Sequence, residues 1–304
     1  MSWYMAGRMT TKDRRGVEDK IQNKKGIMDT RIIDSHLHLD LVYTNFPDRI
    51  GWMQEHGVVP ISWAFCPGVK DRSGLLNCLA AQAGLVRNLN RKGMTCFYLA
   101  GIHPRNIPPD LAAGEAEDIL APYLEDPLCL GMGEIGLETG SDIEQEILRA
   151  QLALGKRLIA MDKRIGIHTP RENKPAVTAQ TMALLADFPE ITPVTVIDHC
   201  TPETIGRVLE AGFHAGITLS PIKTSLDDLR RIVDGQAGQH DAARPNRIMC
   251  NTDSGVMFYE NLVDFCNDER FPADLKRALA FENANGFFVH SFFTNNPARF
   301  KSTR

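Results

Sequence analysis

Eight short apolar runs alternate with helical patterns between residues 31 and 253, and they predict a single (β/α)8 TIM barrel. A second observation fixes the register. Polar residues able to bind metal end most of these runs. His38 to Glu134 spans 96 residues, Glu134 to His168 34, His168 to His199 31 and His199 to Asp253 54. Taken as three, one, one and two strand–helix units, those intervals average about 31 residues each, the unit size of a barrel of roughly 250 residues. The third is capacity: 304 residues, 43% of them hydrophobic, can bury one large core.

In chain order, residues 1–28 mix Lys12, Arg14, Arg15, Lys20, Lys24 and Lys25 with acids and show no apolar period. They are expected to be a disordered extension, or an over-long start with Met28 the true one, and the barrel to occupy 29–304. The expected strands are Arg31–His38, Val58–Phe65, Cys96–His103, Leu128–Glu134, Arg164–His168, Val194–His199, Phe213–Leu219 and Arg247–Asp253. Ser141-Asp142-Ile143-Glu144 predicts a capping box, with Ile143, Ile147, Ala150, Leu154, Leu158 and Met161 on one helical stripe. Thr201-Pro202 predicts a helix start and Gly212 its stop. Residues 259–300 read as helical, packed over the outside of the barrel.

A formal net charge of −4 and a pI near 6.1 exclude a global positive field that would gather nucleic acid, so a polyanion would need local charges or metals. Seven scattered cysteines without a C-x-x-C read as buried thiols in a reducing compartment. No apolar run has membrane-spanning length and no signal-peptide core is visible, which predicts a cytoplasmic protein without membrane contact.

The chemistry should sit where the strands end. In Asp34-Ser35-His36-Leu37-His38-Leu39-Asp40, a period of two places Asp34, His36, His38 and Asp40 on one face. Two imidazoles there can hold one cation, and Asp34 can accept a ring N–H. Adding Glu134, His168, His199 and Asp253 gives four imidazoles and two carboxylates, more than one tetrahedral zinc requires. They suit two cations with Glu134 between them, where glycines 131, 133 and 136 allow close backbone approach. A bridging water would then be acidified, and Asp253 would ligate one ion and take the proton. His103 reads as a substrate-facing or supporting group. Arg105, Arg171, Lys174 and Lys223 follow strands 3, 5 and 7, where they could ring the mouth and meet phosphate oxygens. Alone, His199 could be a core histidine, Asp253 a turn cap and each cation ordinary surface charge; the joint pattern carries the inference.

Those residues give the chain a resemblance to the TatD family of metal-dependent hydrolases in the amidohydrolase superfamily. The motifs are Asp34-Ser35-His36-Leu37-His38, Gly101-Ile102-His103-Pro104, Gly133-Glu134-Ile135-Gly136-Leu137, Ile167-His168, Asp198-His199-Cys200, Thr252-Asp253-Ser254 and Glu282-Asn283-Ala284. The resemblance implies one metal on His36, His38, Glu134 and Asp253, and another on Glu134, His168 and His199. It implies hydrolysis of phosphoester bonds, single-stranded DNA ends among them. Arg105, Thr169-Pro170-Arg171 and Gly255 depart from the family pattern at substrate-facing positions, and His168-Thr169-Pro170-Arg171 through Lys174, with Ile222-Lys223-Thr224, resembles a divergent branch that includes EboC-type proteins. Two divalent ions are expected, zinc foremost, with manganese, nickel and magnesium also suited to nitrogen and oxygen ligands. The alternatives are a small-molecule amidohydrolase or lactonase on the same metals, and a non-hydrolytic metal-binding component of a pathway, whose mark would be a lost ligand.

Overall fold

The computed structural model describes residues 31–237 and 244–290, so the expected N-terminal extension lies outside the described residues. Eight strands form one parallel sheet in sequence order: β1 Ile32–Leu37, β2 Val58–Trp63, β3 Phe97–Ala100, β4 Cys129–Gly136, β5 Arg164–His168, β6 Thr195–Ile197, β7 His214–Thr218 and β8 Ile248–Asn251. Each expected strand is present, most of them one to four residues shorter. Just past the strand ends the sheet closes on itself. Asp253 N donates to His36 O at 2.9 Å, and His38 N donates to Ser254 O at 2.7 Å.

Apolar residues such as Ile33, Ile61, Leu99, Ile167 and Ile217 are fully or almost fully buried, as strands covered on both faces require. Trp63 lies across the barrel interior. A Cβ on Gly166 of β5 would meet its ring at 2.5 Å, so only glycine fits opposite the indole.

Several expectations are corrected. The period of two ends with β1: His38 precedes the helix Leu39–Asn45 and Asp40 lies inside it, so Asp40 leaves the shared face. Ser141 makes no side-chain cap. Glu144, the other half of the expected box, turns back onto the preceding loop, accepting from the backbone N–H of Glu138, Thr139 and Gly140 at 2.9 Å each. The apolar stripe is broken too: the helix ends at Leu152, a second runs Gly155–Ala160, and Ile143 is exposed. The helix after Thr201-Pro202 begins at Ile205, one turn later than expected, and ends before Gly212, whose φ of 90° stops it.

The C-terminal part is helical through His290; residues 291–300 of that expectation lie outside the described residues. It packs under the barrel as well as along it. Arg164 Nε, at the start of β5, donates to Phe287 O at 2.6 Å, and the Phe287 ring lies beside His214 at the start of β7. Cysteine usage also differs from expectation. Cys66 and Cys78 form a disulfide, because the helix Arg72–Arg91 brings Cys78 within a Cα separation of 5.7 Å of the loop after β2. Cys96, Cys129, Cys200 and Cys250 are buried thiols as expected, and Cys266 is partly buried. No helix among the described residues is long and apolar enough to cross a membrane.

Candidate metal centre

All six expected ligands converge at one end of the barrel, around the carboxylate of Glu134. Its Oε2 faces His36 Nε2 at 3.2 Å and His38 Nε2 at 3.8 Å, and its Oε1 faces His168 Nδ1 at 2.5 Å and His199 Nε2 at 3.3 Å. Asp253 Oδ1 joins the first group, 3.1 Å from His38 Nε2 and 3.6 Å from His36 Nε2. His103 is a fifth imidazole here, with Nε2 3.5 Å from Glu134 Oε2. Three overlapping donor groups follow: His36, His38 and Glu134; His36, Asp198 and His199; His103, Glu134 and His168.

Local backbone geometry explains how residues beyond the strands reach inward. His199 and Asp253 both take left-handed conformations, with φ of 57° and 53°, which turn the chain sharply after β6 and β8. Glu134 sits within β4, its N–H on Ala64 O and the Gly133 carbonyl accepting from Ala64 N. Phe65, just past β2, wedges between His38 and His103, with ring centroids 5.0 and 4.7 Å away.

The far nitrogens of the rings decide which lone pairs face the centre. A neutral imidazole carries one proton, so a nitrogen facing an acceptor holds it and leaves the other nitrogen free to bind a cation. His38 Nδ1 faces Trp63 O at 3.0 Å, and His36 Nδ1 faces the Asp198 carboxylate. His199 Nδ1 lies 2.7 Å from Thr218 Oγ1, which gives its own proton to Asn251 Oδ1 at 2.8 Å, and 3.1 Å from the Lys223 ammonium. All three rings therefore turn Nε2 inward, toward the Glu134 and Asp253 carboxylates, where a cation would replace a proton between them. His36 Nε2 is buried and faces Glu134 Oε2 at 3.2 Å without the alignment of a hydrogen bond. His103 is the reverse case. Its Nδ1 accepts the Arg105 backbone N–H at 3.0 Å, so its proton is on Nε2, directed into the centre.

Electrostatics agree with a cation site. Burial disfavours charge on His36, yet Glu134 and Asp198 outweigh it and raise its pKa to about 10. Burial would raise Glu134, but His36, His103 and His168 hold it well below the usual carboxylate range. Asp253 is likewise held low against its burial by Lys223, His199 and His38. Burial, reinforced by Lys223, lowers His199 to about 3, and burial lowers His103 to about 4, so both rings are neutral near pH 7. Three buried or nearly buried carboxylates, Glu134, Asp198 and Asp253, thus stay ionised around the neutral imidazoles of His103 and His199, a donor set that carries net negative charge for a cation to balance.

Sequence reasoning misjudged three supports. Asp34 does not hold a ring N–H. It accepts from Thr252 N at 3.0 Å and Thr252 Oγ1 at 2.6 Å, and the ring acceptor for His36 is Asp198. Gly216 on the next strand makes room for that carboxylate, since a Cβ there would meet Asp198 Oδ1 at 2.0 Å. Glu138 was also missed; it accepts from His168 Nε2 at 2.7 Å and pairs with Arg105 Nε at 2.9 Å. The expected cation ring is mostly engaged elsewhere. Lys223 donates to Asp253, and Lys174 donates to Thr169 Oγ1 at 3.0 Å and His199 O at 2.9 Å. Arg171 is exposed at the mouth. Above the centre is a cavity of about 490 Å³.

Three comparisons bear on this arrangement. The family model described as TatD related DNase matches residues 33–258. The uncharacterized metal-dependent hydrolase MJ0761 of Methanocaldococcus jannaschii is 27% identical over 142 residues, 46% of this chain and 54% of that protein, so the match spans about half of that relative. The crystal structure of a TatD-like protein from Archaeoglobus fulgidus superposes with a TM-score of 0.65 and 31% identity, covering 84% of this chain and 98% of that one. A 5-carboxyvanillate decarboxylase from Sphingomonas paucimobilis, at 13% identity and a TM-score of 0.55 over 86% and 99% of the two chains, shares the fold alone.

Proposed function

The chain belongs to the TatD family of metal-dependent hydrolases, and from that premise we propose that it cleaves phosphoester bonds with two divalent ions held at the barrel mouth. His36, His38, Glu134 and Asp253 would hold one ion, and Glu134, His168 and His199 the other. The observation that carries the reading is the division of Glu134, one oxygen toward His36 and His38 and the other toward His168 and His199. The donor set of imidazole and carboxylate suits zinc, and also manganese, nickel or magnesium.

Ions bound there would acidify a water to near neutral pH and polarise the scissile phosphoester. The chain's own groups supply the rest. Lys223 engages Asp253 Oδ2, which leaves Oδ1 facing the centre to accept the proton of the attacking water. His103 Nε2–H, fixed by the Arg105 backbone, donates to a substrate oxygen as negative charge develops on it. Arg171 meets the anionic group at the mouth.

DNA ends are the polymeric members of this substrate class. The small-molecule amidohydrolase or lactonase reading retains one observation in its favour: Arg105 and Lys223 are already paired with Glu138 and Asp253, which leaves fewer cations for phosphate.

The test is Asp253→Asn, assayed on a chromogenic phosphodiester with metal content measured alongside. The variant should keep at least one metal per chain and lose at least about 10²-fold in kcat. Wild-type kcat at full metal would make Asp253 a turn residue and end this mechanism.

A further inference from the structure

The walls of the cavity narrow the substrate class. Among the described residues, six large hydrophobic side chains are exposed, and three of them rim this one mouth: Ile222 at 55%, Val256 at 67% and Met257 at 56%. They come from two separate loops, after β7 and after β8, so their meeting at one mouth is not a single apolar run of sequence. Clustered apolar surface beside a polar centre is what a ligand's apolar part would cover.

The charge pattern is equally selective. Arg105, Lys174 and Lys223 are each held by a partner within the protein. Arg171, which follows β5, has no hydrogen bond or ion pair among the described residues. It stands three strands round the barrel from Val256 and Met257. A nucleic-acid strand is held by a row of cations along its phosphates. Among the described residues, Arg171 is the one cation lining this mouth without a partner, and it faces an apolar rim in a cavity of about 490 Å³, the size that encloses a small molecule.

We propose that the substrate is a small, singly anionic phosphodiester, one of whose two ester groups is an apolar aryl or alkyl arm. Its anion lies toward Arg171, and its arm lies against Ile222, Val256 and Met257. This rests on the hydrolase reading above. Hydrolysis adds one water, breaks one P–O bond and releases the alcohol together with the phosphomonoester, so no oxidant or reductant is needed.

Two arms test it on the full chain loaded with zinc. Calorimetry compares methyl(phenyl)phosphinate with dimethylphosphinate, singly charged anions that carry no ester bond. The phenyl compound should bind about tenfold more tightly, as covering a ring edge predicts, and Val256→Asp should abolish that preference. Equal affinity, no binding of either anion, or tighter binding of a single-stranded oligodeoxynucleotide overturns the proposal. In the second arm, phenyl p-nitrophenyl phosphate should exceed methyl p-nitrophenyl phosphate in kcat/KM by a similar factor, after division by each ester's own hydroxide rate. If neither ester turns over while the phenyl preference in binding persists, the phosphoester reading fails and the apolar-arm assignment stands.

Discussion

Asp198 and His36 are 162 residues apart, and the carboxylate of one accepts the Nδ1–H of the other beneath the candidate centre. The same carboxylate accepts from the backbone of its neighbour His199 at 2.7 Å and from Asn251 Nδ2 at 2.9 Å, so its position is fixed from β1, β8 and the turn after β6. Through it the His36 ring is oriented with Nε2 toward Glu134. Asp198→Asn should fold with an unchanged circular dichroism spectrum and bind zinc about 10–100-fold more weakly. Unchanged affinity would mean that packing against Trp63, at a ring separation of 4.0 Å, orients His36 without help.

His103 offers a different outcome. Because its Nδ1 accepts an N–H, its Nε2 holds a proton and has no lone pair for a metal. His103→Ala should therefore keep full metal and lose about 10²-fold in kcat. Nitrogen NMR of the metal-loaded wild type should find the proton on Nε2. Metal loss in the variant would instead make His103 a ligand beside Glu134 and His168.

Asp34 sets a pH dependence of stability. Burial raises its pKa from 3.8 to about 7, with the bonds from Thr252 only partly offsetting that. The folded state then binds more protons than the unfolded one between pH 3.8 and about 7, so this group's contribution falls as pH rises through that window. Asp34→Asn cannot ionise. Compared with it, metal-free wild type should lose thermal midpoint steadily from pH 4 to pH 7.5. A constant difference across that range would contradict the assignment.

Much of the site was legible because a barrel strand is an apolar run with a polar end, and both features survive in one dimension. His36, Glu134 and His168 lie on strands, and His38, His103, His199 and Asp253 within three residues of a strand end. What stayed hidden depended on distant partners. Asp34 meets Thr252, 218 positions away, and nothing near Asp34 announces that choice over a ring N–H. Glu138 is one residue past Leu137 in a glycine-rich turn, and only the fold sets it between His168 and Arg105. Ser141 and Glu144 have the spacing of a capping box, yet the loop at 138–140 offers Glu144 three N–H groups at once and wins. The Cys66–Cys78 bridge joins a loop to a helix whose approach no spacing rule encodes.

The central claim is that Glu134 joins two cation sites, and metal counting after zinc reconstitution tests it most directly. Mass spectrometry of the metals should find two ions per wild-type chain, at least one in Asp253→Asn, and fewer than one in Glu134→Gln, where both sites lose a shared charge. Two ions retained in Glu134→Gln, or fewer than two in the wild type, would contradict the account.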